Sequence, residues 1–331
     1  MIITRTPYRV SFFGGGTDYP TWFREETGSV LATSIDKYCY ITCRLLPPYF
    51  EHKHRIVYSR IENAMNIEDI EHPAVRGVFQ WDGVKDGLEI HHDGDVPARS
   101  GLGSSSSFTV GLILALKALR GQMIGKQELA ANAIHVEQNI IKENVGSQDQ
   151  ISAAYGGFNR IDFHKDGSFT VNPVVLPKGR FYELQSHMML CFTGLSRIAS
   201  EVAKSQIDNM KNRYNELKCM HQMVDQSIDI LTNPNTDLLE FGKLMNESWK
   251  YKRSLSDKVS NSDIDEMYEI AMQNGAVGGK ILGAGGGGFL LVFAPPEKQA
   301  AIREKLGKLV HIPFKFEGSG ARVALYQPNG L

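Results

Sequence analysis

The 331-residue chain is long enough for one large domain or two ordinary ones, and a composition of 42% hydrophobic and 22% charged residues is typical of a soluble globular protein. Its 36 Lys and Arg residues nearly balance 37 Asp and Glu residues, which excludes a broad basic surface for nucleic acid or an anionic membrane and makes any anion site local. No apolar run reaches the ~18 residues that span a bilayer, and the N-terminus lacks the order of a secretory signal, so we expect a cytoplasmic protein with free, buried cysteines.

Segments that favour strands and segments that favour helices follow one another without a regular βαβ rhythm. The first half predicts strands at 2–13, 29–46, 55–59 and 88–93, an irregular or helical segment at 62–80, helices at 104–119, 126–142 and 146–155, and a strand pair at 158–163 and 169–176. The second half predicts a buried strand that ends at Gly194, helices at 199–231, 236–254, 263–274 and 297–308, an apolar strand after residue 288 and a closing strand at 321–326. This mixture favours an α+β class over a doubly wound sheet, with a domain boundary near 175–187.

The stretch VPARSGLGSSSS at 96–107 runs directly into a predicted helix. Glycine allows the backbone to approach a phosphate closely, and the start of a helix adds free N–H groups and a favourable dipole. The stretch is not a Walker A loop, because no Gly-Lys-Ser/Thr follows at the required spacing, and only Gly101 and Gly103 fit a GxGxxG pattern. On shape alone, a helix cap without a ligand and a phosphate site explain it equally well.

Two further glycine-rich stretches flank this one. In TPYRVSFFGGGTDYP at 6–20, three glycines end a strand, and a hairpin turn would explain them as well as a ligand would. In KILGAGGGG at 280–288, four consecutive glycines cost more conformational entropy than a plain turn requires. Close approach to a ligand or to another backbone segment explains this third stretch better.

In order and spacing, the three stretches resemble the motifs of the GHMP kinases, the small-molecule kinase family named after galactokinase, homoserine kinase, mevalonate kinase and phosphomevalonate kinase. The N-terminal stretch, together with GSVLATSIDKY and GSQDQISAAYGG further on, is closer to the family's sugar-1-kinase branch, whose substrates include a heptose 7-phosphate, than to galactokinase. The resemblance implies a two-domain fold, with an ATP-binding domain like ribosomal protein S5 domain 2 at 1–180 and an α+β domain at 181–331. It also implies ATP, Mg²⁺ and a small-molecule sugar phosphate as ligands, and leaves a homodimer open.

The resemblance assigns the ATP phosphates to the central stretch and the metal to its serines together with an acidic side chain on a following helix. The phosphate-binding residues would be Pro97, Arg99, Ser100, Gly101, Leu102, Gly103, Ser104, Ser105, Ser106 and Ser107. Mg²⁺ would be held by Ser104 or Ser105 and by Glu137, since Mg²⁺ needs few protein oxygens. Without the resemblance, Glu137 reads better as part of a solvated helix face.

The resemblance makes Asp149 the catalytic aspartate, which would accept the proton of a sugar hydroxyl or orient that hydroxyl. Arg9 would balance Asp149 and stabilise the transferring phosphoryl group, although a salt bridge at a strand edge explains Arg9 equally well. The substrate would be bound by Gly15, Gly16, Thr17, Asp18, Tyr19, Gly194, Arg197, Gly285, Gly286 and Gly287. A phosphate at the far end of the sugar would need cations, for which Lys37, Arg197, Lys250, Lys252 and Arg253 are candidates, each of them more often a plain surface charge.

Two rival functions stay open. A sugar-1-kinase for L-fucose or galactose would have no use for a cationic pocket at the far end of the sugar. A sugar sensor without catalytic activity would have no use for Asp149, Glu137 and the uninterrupted run of serines.

Overall fold

A computed structural model describes residues 1–98, 100–195 and 199–328 as two β-sheets and the helices that pack on them. The strands are β1 (Ile2–Phe13), β2 (Gly28–Leu45), β3 (His54–Val57), β4 (Ile61–Ala64), β5 (Leu88–Gly94), β6 (Phe158–Phe163), β7 (Phe169–Pro173), β8 (Met188–Phe192), β9 (Gly278–Ile281), β10 (Phe289–Phe293), β11 (Val310–His311), β12 (Phe316–Glu317) and β13 (Arg322–Tyr326). The α-helices are α1 (Pro20–Glu26), α2 (Pro73–Asp82), α3 (Ser104–Leu119), α4 (Lys126–His135), α5 (Gln148–Tyr155), α6 (Lys178–Ser186), α7 (Ala199–Asn209), α8 (Tyr214–Thr232), α9 (Leu239–Ser254), α10 (Ser262–Gln273) and α11 (Pro296–Lys305). The predicted α+β class is confirmed.

The larger sheet is organised around the long strand β2. Strands run in the order β13-β1-β2-β5-β3-β4, and β6 and β12 also pair with β2 while β7 pairs with β6. Its pairings are antiparallel except for β3 with β5. The smaller sheet has the order β11-β8-β10-β9. The sheets change between β7 and β8, but β12 and β13 return to the larger sheet, so the division into 1–180 and 181–331 stays a prediction.

Several predicted helices differ from the observed ones for local reasons. The predicted helix 126–142 ends its α-helical part at His135 and continues as a π-helical turn, Val136–Ile140, in which the amide of Ile141 donates to the carbonyl of Val136 at 2.8 Å. The predicted helix 199–231 is divided by a 3₁₀ turn at Met210–Arg213. Helix α6, which the sequence did not predict, lies at the predicted domain boundary near 175–187; it buries only Leu184, which leaves little apolar signal. No described helix is long and apolar enough to cross a membrane.

The position of α3 follows from its close packing on the larger sheet. Gly111, in the middle of this helix, has no side chain to separate it from β1 and β2, and its carbonyl accepts a hydrogen bond from the Thr4 hydroxyl at 3.0 Å. A Cβ atom at Gly111 would lie 2.9 Å from Oγ1 of Thr6. The apolar helix therefore lies directly on the sheet, and its N-terminus is brought to the middle of β1.

Candidate active site

A cavity of about 230 Å³ lies where the start of α3, strand β1 and the last glycine-rich loop meet. The structure brings parts of all three glycine-rich stretches to it, represented by Gly15, Gly101 and Gly283. Side chains from both halves of the chain form its walls. Such a polar, concave meeting point is where a small ligand is expected to bind.

The start of α3 has the geometry of a phosphate site. Gly101 and Gly103 take φ angles of +84° and +75°, which favour glycine, and Gly103 is the residue before the first helical turn. Both glycines line the cavity with Ser104, Ser105 and Ser106. The first turn of a helix leaves unpaired N–H groups and carries a partial positive charge, so this end of the cavity favours an anion.

The other residues predicted to bind ATP phosphates divide into three groups. Leu102 and Ser107 are buried away from the cavity, and the Ser107 hydroxyl donates to the carbonyl of Pro7 at 3.0 Å. Ser100 is buried, and its carbonyl accepts the amide of Phe289 at 3.1 Å. Pro97 is exposed, and Arg99 lies outside the described residues. The structure supports a shorter phosphate motif than predicted.

Arg9 and Asp149 form a bidentate ion pair on the cavity wall. The Nε and one terminal nitrogen of Arg9 donate to the two Asp149 oxygens, each at 2.8 Å, and the other terminal nitrogen donates to the carbonyl of Gly101 at 2.6 Å. Arg9 is 3% exposed, whereas the Asp149 side chain is 26% exposed. Arg9 is buried, its backbone amide donates to the carbonyl of Leu102 at 3.0 Å, and its side chain fixes a carboxylate that still reaches the cavity.

Glu137 is buried, so the solvated-face interpretation is wrong. The π-helical turn carries its side chain inward, where Oε2 accepts hydrogen bonds from the Ser106 hydroxyl at 2.8 Å and from the side-chain amide of Gln150. The other oxygen, Oε1, is buried and has no partner within the described residues. Burial raises the pKa of Glu137 to about 7. The serine that contacts Glu137 is Ser106, next to the predicted candidates Ser104 and Ser105.

These oxygen donors suit a magnesium ion. The unpaired oxygen of Glu137 and the hydroxyls at the start of α3 are hard ligands, which Mg²⁺ prefers. Across the described ranges, no group of three or more His, Cys, Asp or Glu side chains is placed to hold a metal by itself. A site of few protein oxygens still fits Mg²⁺, because this ion keeps several waters and shares phosphate oxygens.

Asp18 is buried beside the cavity and is held by fixed donors. One of its oxygens accepts the amide of Gly16 at 2.9 Å, and the other accepts the side-chain amide of Gln148 at 2.9 Å. A Cβ atom at Gly146 would collide with this second oxygen. Burial raises the pKa of Asp18. Gly15, Gly16, Asp18 and Tyr19 all line the cavity.

Two other predicted substrate residues face elsewhere. The Thr17 hydroxyl donates to the carbonyls of Gly14 and Ser29, at 2.8 and 2.9 Å, and accepts the amide of Ser29 at 3.1 Å. It is therefore saturated by the backbone and closes the turn instead of facing the cavity. Gly194 is exposed and away from the cavity wall. Arg197 lies outside the described residues.

The last glycine-rich loop is packed against other backbone segments. A Cβ atom at Gly285 would lie 2.7 Å from the carbonyl oxygen of Val259, and one at Gly287 would lie 2.6 Å from that of Leu195. The amide of Gly286 donates to the carbonyl of Val259 at 2.8 Å. These three glycines do not line the cavity, so the predicted substrate contacts are replaced by chain packing. Gly283 and Ala284 are the part of this loop that reaches the cavity.

Comparison with known proteins decides the family. Models of the GHMP kinase N-terminal and C-terminal domains match residues 69–157 and 228–311. D-glycero-alpha-D-manno-heptose 7-phosphate kinase of Campylobacter jejuni is 30% identical over 96% of this chain and 97% of its own length. The chain belongs to the GHMP kinase family. This GHMP kinase is a phosphotransferase, and its family uses ATP as a substrate.

Other relatives of this GHMP kinase agree on the fold. A crystal structure of a D-glycero-D-manno-heptose 1-phosphate kinase from Bacteroides thetaiotaomicron superposes with a TM-score of 0.80 at 22% identity, covering 99% of this chain and all of the other. The bifunctional fucokinase/GDP-fucose pyrophosphorylase of Arabidopsis thaliana is 27% identical over 91% of this chain but only 30% of its own length. The two-domain GHMP kinase fold is thereby confirmed.

Two buried lysines line the cavity of this GHMP kinase, and the sequence analysis named Lys252 as a candidate but not Lys280. Lys280 is 2% exposed and donates to the carbonyl of Phe12 at 2.8 Å, while Lys252 is 5% exposed and donates to the carbonyl of Gly283. Burial lowers the pKa of Lys252 to about 8 and lowers that of Lys280 well below its ordinary value. Both line the cavity. The only sequence signal for Lys280 was its position as the first residue of the glycine-rich stretch at 280–288.

The other residues predicted to bind a phosphate at the far end of the sugar are surface charges or lie outside the described residues. Lys250 pairs with Glu247 at 2.6 Å, and its side chain is 60% exposed. Arg253 pairs with Asp265 at 2.8 Å, and Lys37 pairs with Asp36 at 3.5 Å. Arg197 is not described. Lys252 alone among the described candidates reaches the cavity of this GHMP kinase.

Proposed function

We propose that the protein transfers the γ-phosphoryl group of ATP to the anomeric C1 hydroxyl of D-glycero-D-manno-heptose 7-phosphate. The product would be the 1,7-bisphosphate, a step toward nucleotide-activated heptose in the cytoplasm. The observation that carries the proposal is one cavity that joins a helix N-terminus suited to phosphate with an anchored Asp149 carboxylate and buried cations. The Campylobacter relative, aligned along nearly its whole length, supports the choice of acceptor.

In this mechanism, Gly101, Gly103 and the first turn of α3 hold the ATP phosphates. The Asp149 carboxylate orients the C1 hydroxyl and accepts its proton as the oxygen attacks the γ-phosphorus. The new bond joins the C1 oxygen to phosphorus, the bond to the β–γ bridging oxygen breaks, and ADP leaves with that oxygen. Arg9 keeps Asp149 in place through two hydrogen bonds and adds positive charge beside the transferring group.

Glu137 and a serine at the start of α3, Ser104 or Ser105, would hold Mg²⁺, with the Ser106 hydroxyl beside them. The bound ion would neutralise phosphate charge. The unpaired Oε1 of Glu137 supports this assignment, because a buried carboxylate oxygen without a partner is costly unless a ligand satisfies it.

Acceptor binding would fall to the first glycine turn. Gly15, Gly16, Asp18 and Tyr19 border the same space. Two buried polar atoms on this side, the Ser11 hydroxyl and Oε1 of Gln148, have no partner among the described residues. Sugar hydroxyls would satisfy them, since an unpaired buried polar atom costs free energy.

The test is ADP release with Mg²⁺ and a panel of acceptors: heptose 7-phosphate, the unphosphorylated heptose, L-fucose and galactose. We expect turnover on heptose 7-phosphate that is lost in Asp149→Ala. Turnover only on neutral sugars would replace the proposal by a fucose- or galactose-type kinase. No ADP release with any acceptor, combined with sugar binding, would favour a sensor.

A further inference from the structure

Two buried lysines enter the cavity from the C-terminal half of the chain. Lys252 lies near the end of α9, and Lys280 lies in β9, just before the last glycine-rich loop. Both ammonium groups have a backbone carbonyl as their hydrogen-bond acceptor, from Gly283 and from Phe12 respectively. An ammonium group has three donors, so each lysine keeps donors that these bonds do not use.

Neither lysine has a carboxylate partner. In the part of the chain that the structure describes, no Asp or Glu oxygen lies within 4.0 Å of Nζ of Lys252 or Lys280. Both oxygens of Asp149 are engaged by Arg9, and those of Asp18 by Gly16 and Gln148. The nearby carboxylates are therefore occupied, and both buried lysines line the cavity without a carboxylate partner among the described residues.

Burial of an ammonium group without a carboxylate partner is costly. Taking an ammonium group out of water costs several kcal/mol unless a partner compensates it, which is why burial lowers the pKa of both groups. A ligand with two negative charges would compensate both lysines at once. A phosphate monoester has this charge and enough oxygens to accept hydrogen bonds from both.

We propose that Lys252 and Lys280 form an anion subsite that binds the phosphate group of the sugar-phosphate acceptor, an inference that rests on the proposed function. In the proposed function, the ATP phosphates bind at the start of α3. Lys280 is anchored to Phe12 in β1, two residues before the Gly14 to Asp18 turn that would hold the sugar. The subsite therefore adjoins the acceptor side of the cavity and selects sugars that carry a phosphate.

The same charge chemistry could serve the transferring γ-phosphoryl group, because Gly283, the partner of Lys252, packs against Gly101 in the phosphate loop. The two sources of phosphate predict different kinetics. A subsite for the acceptor's phosphate affects KM for the sugar phosphate alone. A subsite for the transferring group affects KM for ATP, or kcat on phosphorylated and unphosphorylated acceptors alike.

The experiment compares Lys252→Met and Lys280→Met with Lys250→Met, a control on the same helix whose exposed side chain pairs with Glu247. We expect KM for heptose 7-phosphate to rise about 10- to 100-fold in the two test variants, as for loss of a charged hydrogen bond. KM for unphosphorylated heptose and for ATP should stay within about 2-fold, far below that change. Lys250→Met should behave like the wild type. Equal effects on both sugars, an increased KM for ATP, or no effect at all would overturn the proposal.

If a methionine variant unfolds, Lys252→Arg and Lys280→Arg replace it, because they keep the charge and should retain the preference for phosphorylated sugar. Loss of that preference in a folded arginine variant would count against the subsite.

A binding experiment separates this inference from the proposed function. With the nucleotide site filled by a non-hydrolysable ATP analogue, inorganic phosphate should raise the melting temperature of the wild type and of Lys250→Met but not of the Lys→Met test variants. If this holds while heptose 7-phosphate is not turned over, the subsite stands and the proposed acceptor fails. Equal stabilisation of all variants by phosphate would refute the subsite itself.

Discussion

The two walls of the cavity use the same residue types in opposite ways. On the N-terminal wall, formed by Arg9, Gly101, Gly103 and Asp149, the charges are paired and both glycines line the cavity, although Gly101 also packs against Leu282. On the C-terminal wall, formed by Lys252, Lys280 and the loop 282–288, the charges lack carboxylate partners and most of the glycines face other backbone segments. Composition alone therefore does not reveal whether a glycine-rich or charged stretch serves a ligand or the fold.

The largest effect is expected on the N-terminal wall, from Asp149→Asn. Asparagine keeps the shape but cannot accept a proton, and it leaves the buried Arg9 without its counter-charge, so we expect kcat to fall about 1,000-fold. The matched control is Asp263→Asn, an exposed aspartate in the first turn of α10 as Asp149 is in the first turn of α5. Steady-state ADP release measures both. A kcat for Asp149→Asn within about 3-fold of wild type would exclude general-base catalysis by this residue.

The next effect compares a glycine packed against another backbone segment with a glycine that has open space beside it. Gly288 and Gly194 both have positive φ angles, +91° and +73°, but only at Gly288 would a Cβ atom collide with a carbonyl oxygen, that of Ser100. We expect Gly194→Ala to lose about 1 kcal/mol of unfolding free energy from its backbone conformation, and Gly288→Ala to lose several times more. Urea denaturation compares them. Equal losses would mean that the loop is not held by this backbone contact.

The buried charge of the C-terminal wall predicts a pH-dependent stability. Lys252 has its pKa lowered from 10.5 to about 8, so its folded-state penalty is complete below pH 8 and disappears as the pH rises toward 10.5. The substitution Lys252→Met should therefore raise the free energy of unfolding, relative to wild type, more at pH 7 than at pH 10.5. The difference between the two pH values should reach about 3 kcal/mol, which corresponds to a pKa shift of this size. Lys250→Met, exposed on the same helix, should show no such trend. If the difference in unfolding free energy between Lys252→Met and wild type did not change with pH, burial of the Lys252 charge would not destabilise the fold.

The smallest effect concerns Thr17, whose hydroxyl is bonded to Gly14 and Ser29. Thr17→Val removes the hydroxyl's three hydrogen bonds to buried backbone groups, of which the Gly14 carbonyl keeps the Thr17 amide as a donor, and should cost about 1–3 kcal/mol of stability. KM for the sugar should change little, because the hydroxyl does not face the cavity. An increase in KM without any loss of stability would restore the predicted substrate contact.

Local patterns predicted the parts of the molecule that local physics determines. The helix predicted at 104–119 is observed at Ser104–Leu119, and the glycines before it have the positive φ angles that a phosphate loop requires. The ion pair of Arg9 with Asp149 was anticipated only through the family resemblance, because 140 residues separate the two side chains in sequence.

Features that depend on tertiary packing were not accessible from the sequence. The burial of Glu137 results from a π-helical turn that no residue pattern announced. The position of Lys252 on the inner face of α9, with Lys250 outside, depends on how this helix packs against β9. The glycines of the loop at 282–288 were predicted to contact the substrate, because glycines that accommodate a ligand and glycines that accommodate a neighbouring backbone segment have the same sequence signature.

The most direct test of the central claim is ³¹P NMR of the product formed from ATP and heptose 7-phosphate. The account predicts a second phosphate resonance coupled to the anomeric proton, appearing in a one-to-one ratio with ADP while the 7-phosphate resonance persists. ADP formed without a phosphate at C1, or with the new phosphate on another hydroxyl, would contradict it.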